Sequence, residues 1–293
     1  MNPCPLNTRR GAARQPRRIG LAAAALAALL GVDPAAHAAP RAASIPGGIA
    51  IVRLASAGDT APQAFYEGRP VLVERRDGQW QALVGLPLSA QPGEHSIKVV
   101  SVGAAGVTER EAGFRVAPHA YPTQRLTIKD ASKVTPPPEA LARIEQEALK
   151  MASLRTRFRD VAAVDTDLVL PAKGRLSSRF GLRRILNGEP RNPHSGLDLA
   201  IPSGTPLIAP AAGVVIEAAD FYYCGQSVFL DHGQGLITLY CHLQQIDVTA
   251  GQALRRGERI GLSGASGRAT GPHLHWSVYL NGNPVNPELM LRH

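Results

Sequence analysis

Apolar and polar positions alternate in short runs over most of the chain, and only one stretch repeats at helical spacing. The runs 48–54, 70–74, 80–84, 95–101 and 111–116 read as strands, separated by the hairpin signal Asp77-Gly78 and a turn at Pro92-Gly93. Short strands at this spacing predict an immunoglobulin-like β-sandwich over 44–118, with Phe65, Tyr66, Trp80 and Phe114 assigned to its core. A linker over 119–167 carries the proline run Pro136-Pro137-Pro138. After it, Leu141, Ile144, Ala148, Met151 and Phe158 recur on one helical face. They predict a helix over 139–161, with prolines at its start and Glu145, Glu147, Lys150, Arg155 and Arg157 on the solvated side. From 168 to 293 alternation returns in 213–218, 227–231, 236–242, 259–262 and 273–280. The predicted fold class is mainly β: a sandwich, a connecting helix and a C-terminal antiparallel β domain.

Residues 1–38 break the pattern. Five arginines (Arg9, Arg10, Arg14, Arg17 and Arg18) precede an apolar run over 19–32, which ends in Ala36-His37-Ala38. A helix crossing a bilayer needs about 20 apolar residues, so this run is too short. A basic head, a short apolar stretch and a small-residue ending describe a cleavable secretory signal. The expectation is an exported protein, periplasmic or alternatively secreted, with no stable membrane span after cleavage. Cys4 lies ahead of the apolar run and is therefore not a lipid-bearing cysteine.

Composition then narrows the class. Of 293 residues, 44% are hydrophobic and 19% charged, which fits a globular chain and excludes a disordered one. The net charge of +9 suggests nucleic acid, but the first 38 residues hold five of the 32 basic residues and one of the 23 acidic ones. The remainder carries +5 without a dense basic run interleaved with aromatics, so no nucleic-acid partner is expected. Export would leave two cysteines, Cys224 and Cys241, in one predicted hairpin and an oxidising compartment. A disulfide and a pair of buried thiols both fit that placement.

Nine histidines are present. His37 falls in the signal, His95 and His119 in or just after the sandwich, His232 on a hairpin turn and His293 at the end. His194, His242, His273 and His275 remain, with Asp198. His273-Leu274-His275 places two imidazoles on one face of a strand. His194 and Asp198, four apart, share a face if extended, and alternation puts His242 on the face of Tyr240. Clustered imidazoles repel once protonated, so such a group implies metal or catalytic use. Two imidazoles and a carboxylate leave an open position on zinc, the arrangement of a hydrolytic site.

The stretch 174–287 closely resembles the lysostaphin-type (LytM-like) zinc metallopeptidases, peptidoglycan endopeptidases. The matching text includes Ser178-Arg179-Phe180-Gly181, His194-Ser195-Gly196-Leu197-Asp198, Tyr240-Cys241-His242-Leu243 and Gly271-Pro272-His273-Leu274-His275. The resemblance implies an antiparallel β peptidase domain over 168–293. It makes His194, Asp198 and His275 the ligands of one zinc ion, with His242 and His273 as the catalytic pair. It also implies peptidoglycan peptide stems as the partner and, for a periplasmic enzyme, a D-alanyl–diaminopimelyl cross-link as the target. The sandwich and helix look like the N-terminal region of exported members.

The residues support that chemistry on their own terms. Zinc lowers the pKa of a bound water from 15.7 to about 7. No His-Glu-x-x-His helix supplies a carboxylate base, so two imidazoles must handle the protons, in an order the sequence leaves open. Arg183, Arg184 and Arg191 precede His194 and suit either an acidic peptide stem or a solvated loop; Tyr240 is a further candidate for substrate contact. Two rival readings are a non-catalytic wall-binding activator of amidases and a non-haem iron oxygenase. The first would have lost its ligands; the second lacks its usual His-x-Asp spacing.

Overall fold

The computed structural model of the chain describes residues 40–54, 60–103, 106–127 and 134–292. The signal-peptide expectation over 1–38, including Cys4, and the terminal His293 lie outside these residues. The N-terminal region folds as β1 (Ile49–Leu54), β2 (Gln63–Tyr66), β3 (Arg69–Pro70), β4 (Leu72–Arg76), β5 (Gln79–Gly85), β6 (Gly93–Gly103) and β7 (Gly106–Val116). They form two antiparallel sheets, β1-β5-β4 and β3-β2-β6-β7. Val52, Leu54, Tyr66, Val84, Ile97 and Val99 fill a common core between them, which makes a sandwich. Asp77 and Gly78 both take positive φ (49° and 76°), the conformation a two-residue hairpin needs. Glu67-Gly68 makes a second such turn, between β2 and β3, and β2 had no counterpart in the strands expected from sequence.

The other face of the first sheet is not solvated. Ile49, Leu72 and Leu83 join the main core of the C-terminal domain with Leu168, Leu280 and Val285. The Asn281 side chain accepts from the Gly85 N–H at 2.7 Å and donates to its carbonyl at 3.0 Å. Gln234 bridges in the same way, accepting from the Val73 N–H and donating to the Val161 carbonyl.

The linker contains β8 (Thr123–Leu126), which the sequence reading missed. It pairs in parallel with β10 (Arg183–Leu186), itself paired with β11 (Glu189–Arg191). The helix α1 runs Pro138–Arg155, ending six residues earlier than expected. Thr156 ends it, its hydroxyl donating back to the Ala152 carbonyl. The following segment instead serves the hairpin turn beyond it: the Gln234 N–H donates to the Arg159 carbonyl, and the Arg159 guanidinium lies 3.3 Å from the buried Asp231. No residue of α1 is fully buried. Met151 and Leu154 touch a core around Phe221, Phe229 and Tyr279. Lys150 pairs with Glu217 at 2.7 Å, and Glu147 accepts from the Tyr222 N–H. Both were expected on the solvated side; they dock the helix instead.

The rest is one large sheet built from β9 (Arg175–Ser178), β12 (Leu197–Ala200), β13 (Pro206–Ile208), β14 (Gly213–Phe221), β15 (Gly225–Gly233), β16 (Leu236–Ile246), β17 (Ala253–Leu254), β18 (Arg259–Ser263), β19 (Leu274–Leu280) and β20 (Asn283–Val285). The main strand order is β17-β14-β15-β16-β19-β12-β9. One face carries Leu230, Tyr240 and Trp276; the other carries Phe229, Ile237, Leu239 and Tyr279 against α1. With both faces covered, β15 and β16 are buried along most of their length. Among the described residues no helix is long and apolar enough to cross a membrane.

Candidate active site

Three neighbouring strands converge on one point. Asp198 of β12 lies directly opposite His275 of β19, and cross-strand partners share a face. Asp198 Oδ1 stands 2.8 Å from His275 Nδ1. His194, just before β12, brings its Nε2 to 3.0 Å from both atoms. That approach needs Gly196, because a Cβ there would lie 2.4 Å from the Trp276 carbonyl and 2.9 Å from His275 Cε1.

The outer nitrogens determine what the inner ones offer. His194 Nδ1 is 2.8 Å from the Arg179 carbonyl, which can only accept. Nδ1 therefore carries the hydrogen, and in the neutral ring the Nε2 lone pair faces the Asp198 carboxylate. Burial pulls His275 down to about 4 against the pull of Asp198, so it is neutral at pH 7. Burial alone would raise the Asp198 pKa, but its close contacts with the His194 and His275 rings hold it well below the ordinary range. With a neutral His194, two acceptors face each other in a buried site, an arrangement that suits a cation. His194, Asp198 and His275 are the one metal-capable group of this kind among the described residues. The donor set fits zinc, and the outer atoms are held as metal ligands usually are. His275 Nε2 lies 2.9 Å from Ser277 Oγ, and Arg184 donates to the second oxygen of Asp198 at 3.1 Å.

His242 reaches this site by a route that alternation does not predict. Gln226 pairs with Leu243 and Val228 with Tyr240, so Ser227 alone opposes Cys241 and His242. His242 takes φ +67° in this bulge, and its backbone N–H donates to the Cys224 carbonyl. The bulge turns the ring away from the face of Tyr240, to 4.6 Å from the ring of His273 and 6.3 Å from that of His275. His242 Nδ1 donates to the Ser266 carbonyl and His273 Nδ1 to the Gly271 carbonyl, each at 2.8 Å. Both rings therefore keep Nε2 as a free acceptor when neutral. Burial, then the neighbouring His273 and His275, push the His242 pKa down to about 3.

The candidate substrate residues divide. Arg184 lines a groove of about 350 Å³ beside His194, His242 and His275. Arg183, alternate to it on β10, is exposed and does not line the groove. Tyr240 is a correction: it is fully buried against the core, its hydroxyl 3.1 Å from Thr238 Oγ1, and it cannot touch substrate. His232 is not merely a turn residue, since it is buried between the Ala212 carbonyl and Thr238. Cys224 and Cys241 are free thiols; Cys241 is buried in the core, and the half-buried Cys224 packs against that core and lines the groove. Arg268 and Tyr223, which also line the groove, escaped the sequence reading because neither belongs to a periodic pattern. Ser277 was legible, two residues beyond His275 on the same strand face.

Comparison with known proteins gives a consistent picture. The profile of peptidase family M23 matches residues 192–287, and that of the M23 N-terminal domain matches 42–118. A crystal structure of a putative peptidase M23 from Pseudomonas aeruginosa is 42% identical, with TM-score 0.70, over 85% of this chain and 95% of that one. Peptidoglycan DD-endopeptidase ShyA of Vibrio cholerae is 46% identical over 116 residues, 39% of this chain and 27% of its own length. The DD-carboxypeptidase/endopeptidase Mpg of Neisseria meningitidis is 42% identical over 113 residues, 39% of this chain and 26% of its own. The matched part of the chain thus spans about a quarter of the length of these curated relatives.

Proposed function

Because the chain belongs to peptidase family M23, we propose that it is an exported zinc endopeptidase that hydrolyses peptide cross-links of bacterial peptidoglycan. The observation that carries this reading is the meeting of His194 Nε2, Asp198 Oδ1 and His275 Nδ1 at 2.8–3.0 Å, with the His194 lone pair aimed inward. These three residues would hold the zinc, which supplies Lewis acidity and a water of lowered pKa. His242 and His273 flank the same point with their Nε2 atoms unencumbered. One accepts the proton of the attacking water, and the other carries a proton to the departing amine. The carbonyls of Ser266 and Gly271 fix the ring orientations before substrate arrives. Arg184 holds Asp198 in place from outside, so its guanidinium orients a ligand as well as bordering the groove.

The residue pattern of 1–38 supports export to the periplasm, and the relatives' names support a DD cross-link of peptidoglycan as the target. The rival reading, a binding module that activates amidases, would not need these five side chains in working order.

The test is metal removal. Chelator-stripped protein should release no new amines from purified cross-linked muropeptides, by mass spectrometry, and zinc should restore release. Cleavage at full rate by the stripped protein would end the zinc reading. Metal-loaded protein that binds the wall yet releases nothing would favour the module.

A further inference from the structure

The groove beside the histidines is cationic. Arg184, Arg191 and Arg268 line it, and no Asp or Glu does. Arg184 is engaged with Asp198, and Arg191 donates to the Pro190 and Val134 carbonyls. Arg268 stacks on an aromatic ring. Its guanidinium lies 4.3 Å from the centre of the Tyr223 ring, and its backbone N–H donates to the Tyr223 carbonyl. Burial, with repulsion from Arg184 and Arg191, pulls its pKa below the ordinary arginine value although Tyr223 opposes that. Asp198 and Glu189, 3.1 and 3.9 Å from Arg184 and Arg191, offset part of this charge, and the lining that faces the groove still favours an anionic ligand.

The position is also rigid. Gly225 and Gly267 both take positive φ, and a Cβ on Gly267 would lie 2.3 Å from the Gly225 nitrogen. Only glycine lets the loop carrying Arg268 press so close to residues 223–225. Ser266 in that loop donates to the Leu243 carbonyl, and its own carbonyl orients His242. The loop thus fixes Arg268 relative to His242.

We propose that Arg268, stacked on Tyr223 and backed by Arg191, is a specificity residue that recognises a free carboxylate on the peptide beside the scissile bond. The substrate class is then an acidic peptide, disfavoured when that carboxyl is amidated. Guanidinium suits this task because its planar fork meets a carboxylate with two parallel hydrogen bonds. This inference rests on the endopeptidase reading above.

The experiment compares soluble cross-linked peptide dimers whose stem carboxyls are free or amidated, cut by zinc-loaded protein. A charge-assisted contact of this kind is expected to favour the free acid roughly ten- to a hundredfold in kcat/KM. In Arg268→Gln the preference should collapse toward unity, mainly through KM for the acid, and Arg268→Lys should retain part of it. Added salt should shrink the wild-type preference. Equal cutting of both substrates by wild type, or an undiminished preference in a folded Arg268→Gln, overturns the proposal. If Arg268→Gln does not fold, Arg268→Lys and Arg191→Gln must each lower the preference, or the proposal fails. If wild type cuts neither dimer, the enzymatic reading fails by itself. Calorimetry of the free and amidated stem peptides then decides the subsite: tighter binding of the acid, weakened in Arg268→Lys, upholds it, and equal binding overturns it.

Discussion

The sandwich and the C-terminal domain are both antiparallel β structure, yet they bury different things. The described part of the sandwich buries only apolar side chains, whereas the fourteen buried polar or charged residues among the described ones all fall between Thr166 and Asn281. Burying polar groups costs stability unless each finds a partner, so their confinement to one domain marks where chemistry is done and where scaffold suffices. The sharpest break of this comparison is His194→Ala. It should abolish both zinc binding and muropeptide cleavage, read by metal analysis and mass spectrometry; full activity in this variant would remove the metal from the account. His242→Ala and His273→Ala should keep zinc but slow cleavage by about 10²–10⁴-fold, the usual contribution of a positioned proton-transfer group. Loss of metal in either would mean that the two pairs of histidines have been divided wrongly.

The converse belongs to the sandwich. Ile97 is fully buried there, away from every histidine of the site. Ile97→Ala should lower unfolding free energy by about 2–5 kcal/mol while leaving zinc affinity near wild type. A large drop in zinc affinity in the folded variant would show that the two regions are not energetically separable. The shared core at Ile49, Leu72 and Leu83 is where such coupling would run.

Local signals made much of this architecture legible. Asp77-Gly78 announces its hairpin because both residues tolerate positive φ, and His273-Leu274-His275 announces two imidazoles on one face because the strand period is two. What escaped notice is nonlocal. The pairing of β8 with β10 joins segments about 60 residues apart and has no signature in either. Helical periodicity ran on to Phe158, but Arg159 and the buried Asp231 recruit that stretch for another purpose. Alternation put His242 beside Tyr240, and only a bulge at Cys241-His242 carries the ring to His273. The sequence names the reactive groups; irregular backbone aims them.

His232 extends the contrast to pH. Burial depresses its pKa from 6.5 to about 4, against the Ala212 carbonyl that accepts from its Nδ1. A base whose folded pKa is lowered stabilises the fold fully above pH 6.5 and progressively less as the pH falls toward 4. Zinc-loaded wild type should therefore lose up to about 1.4 kcal/mol per pH unit from this residue in that window. Denaturant melts of His232→Gln should show a correspondingly flatter slope. Parallel slopes would mean that the imidazole takes up no fewer protons when folded than when unfolded.

The smallest expected effect is the most discriminating. Ser277 sits on the strand face of His275 and touches only its outer nitrogen, at 2.9 Å. If Asp198 and His194 alone determined metal affinity, Ser277→Ala would change nothing. If the hydroxyl fixes the ring so that Nδ1 points inward, its loss frees the imidazole to rotate or change tautomer. Zinc affinity should then fall about 10–100-fold, measured by competition with a chromogenic chelator. Stability of the metal-free protein should change far less, because the deletion removes one oxygen beside a ring already packed by its neighbours. Unchanged affinity would mean that strand pairing with Asp198, rather than the hydroxyl, orients His275, and the special cost of polar burial here would then buy less than the comparison with the sandwich implies.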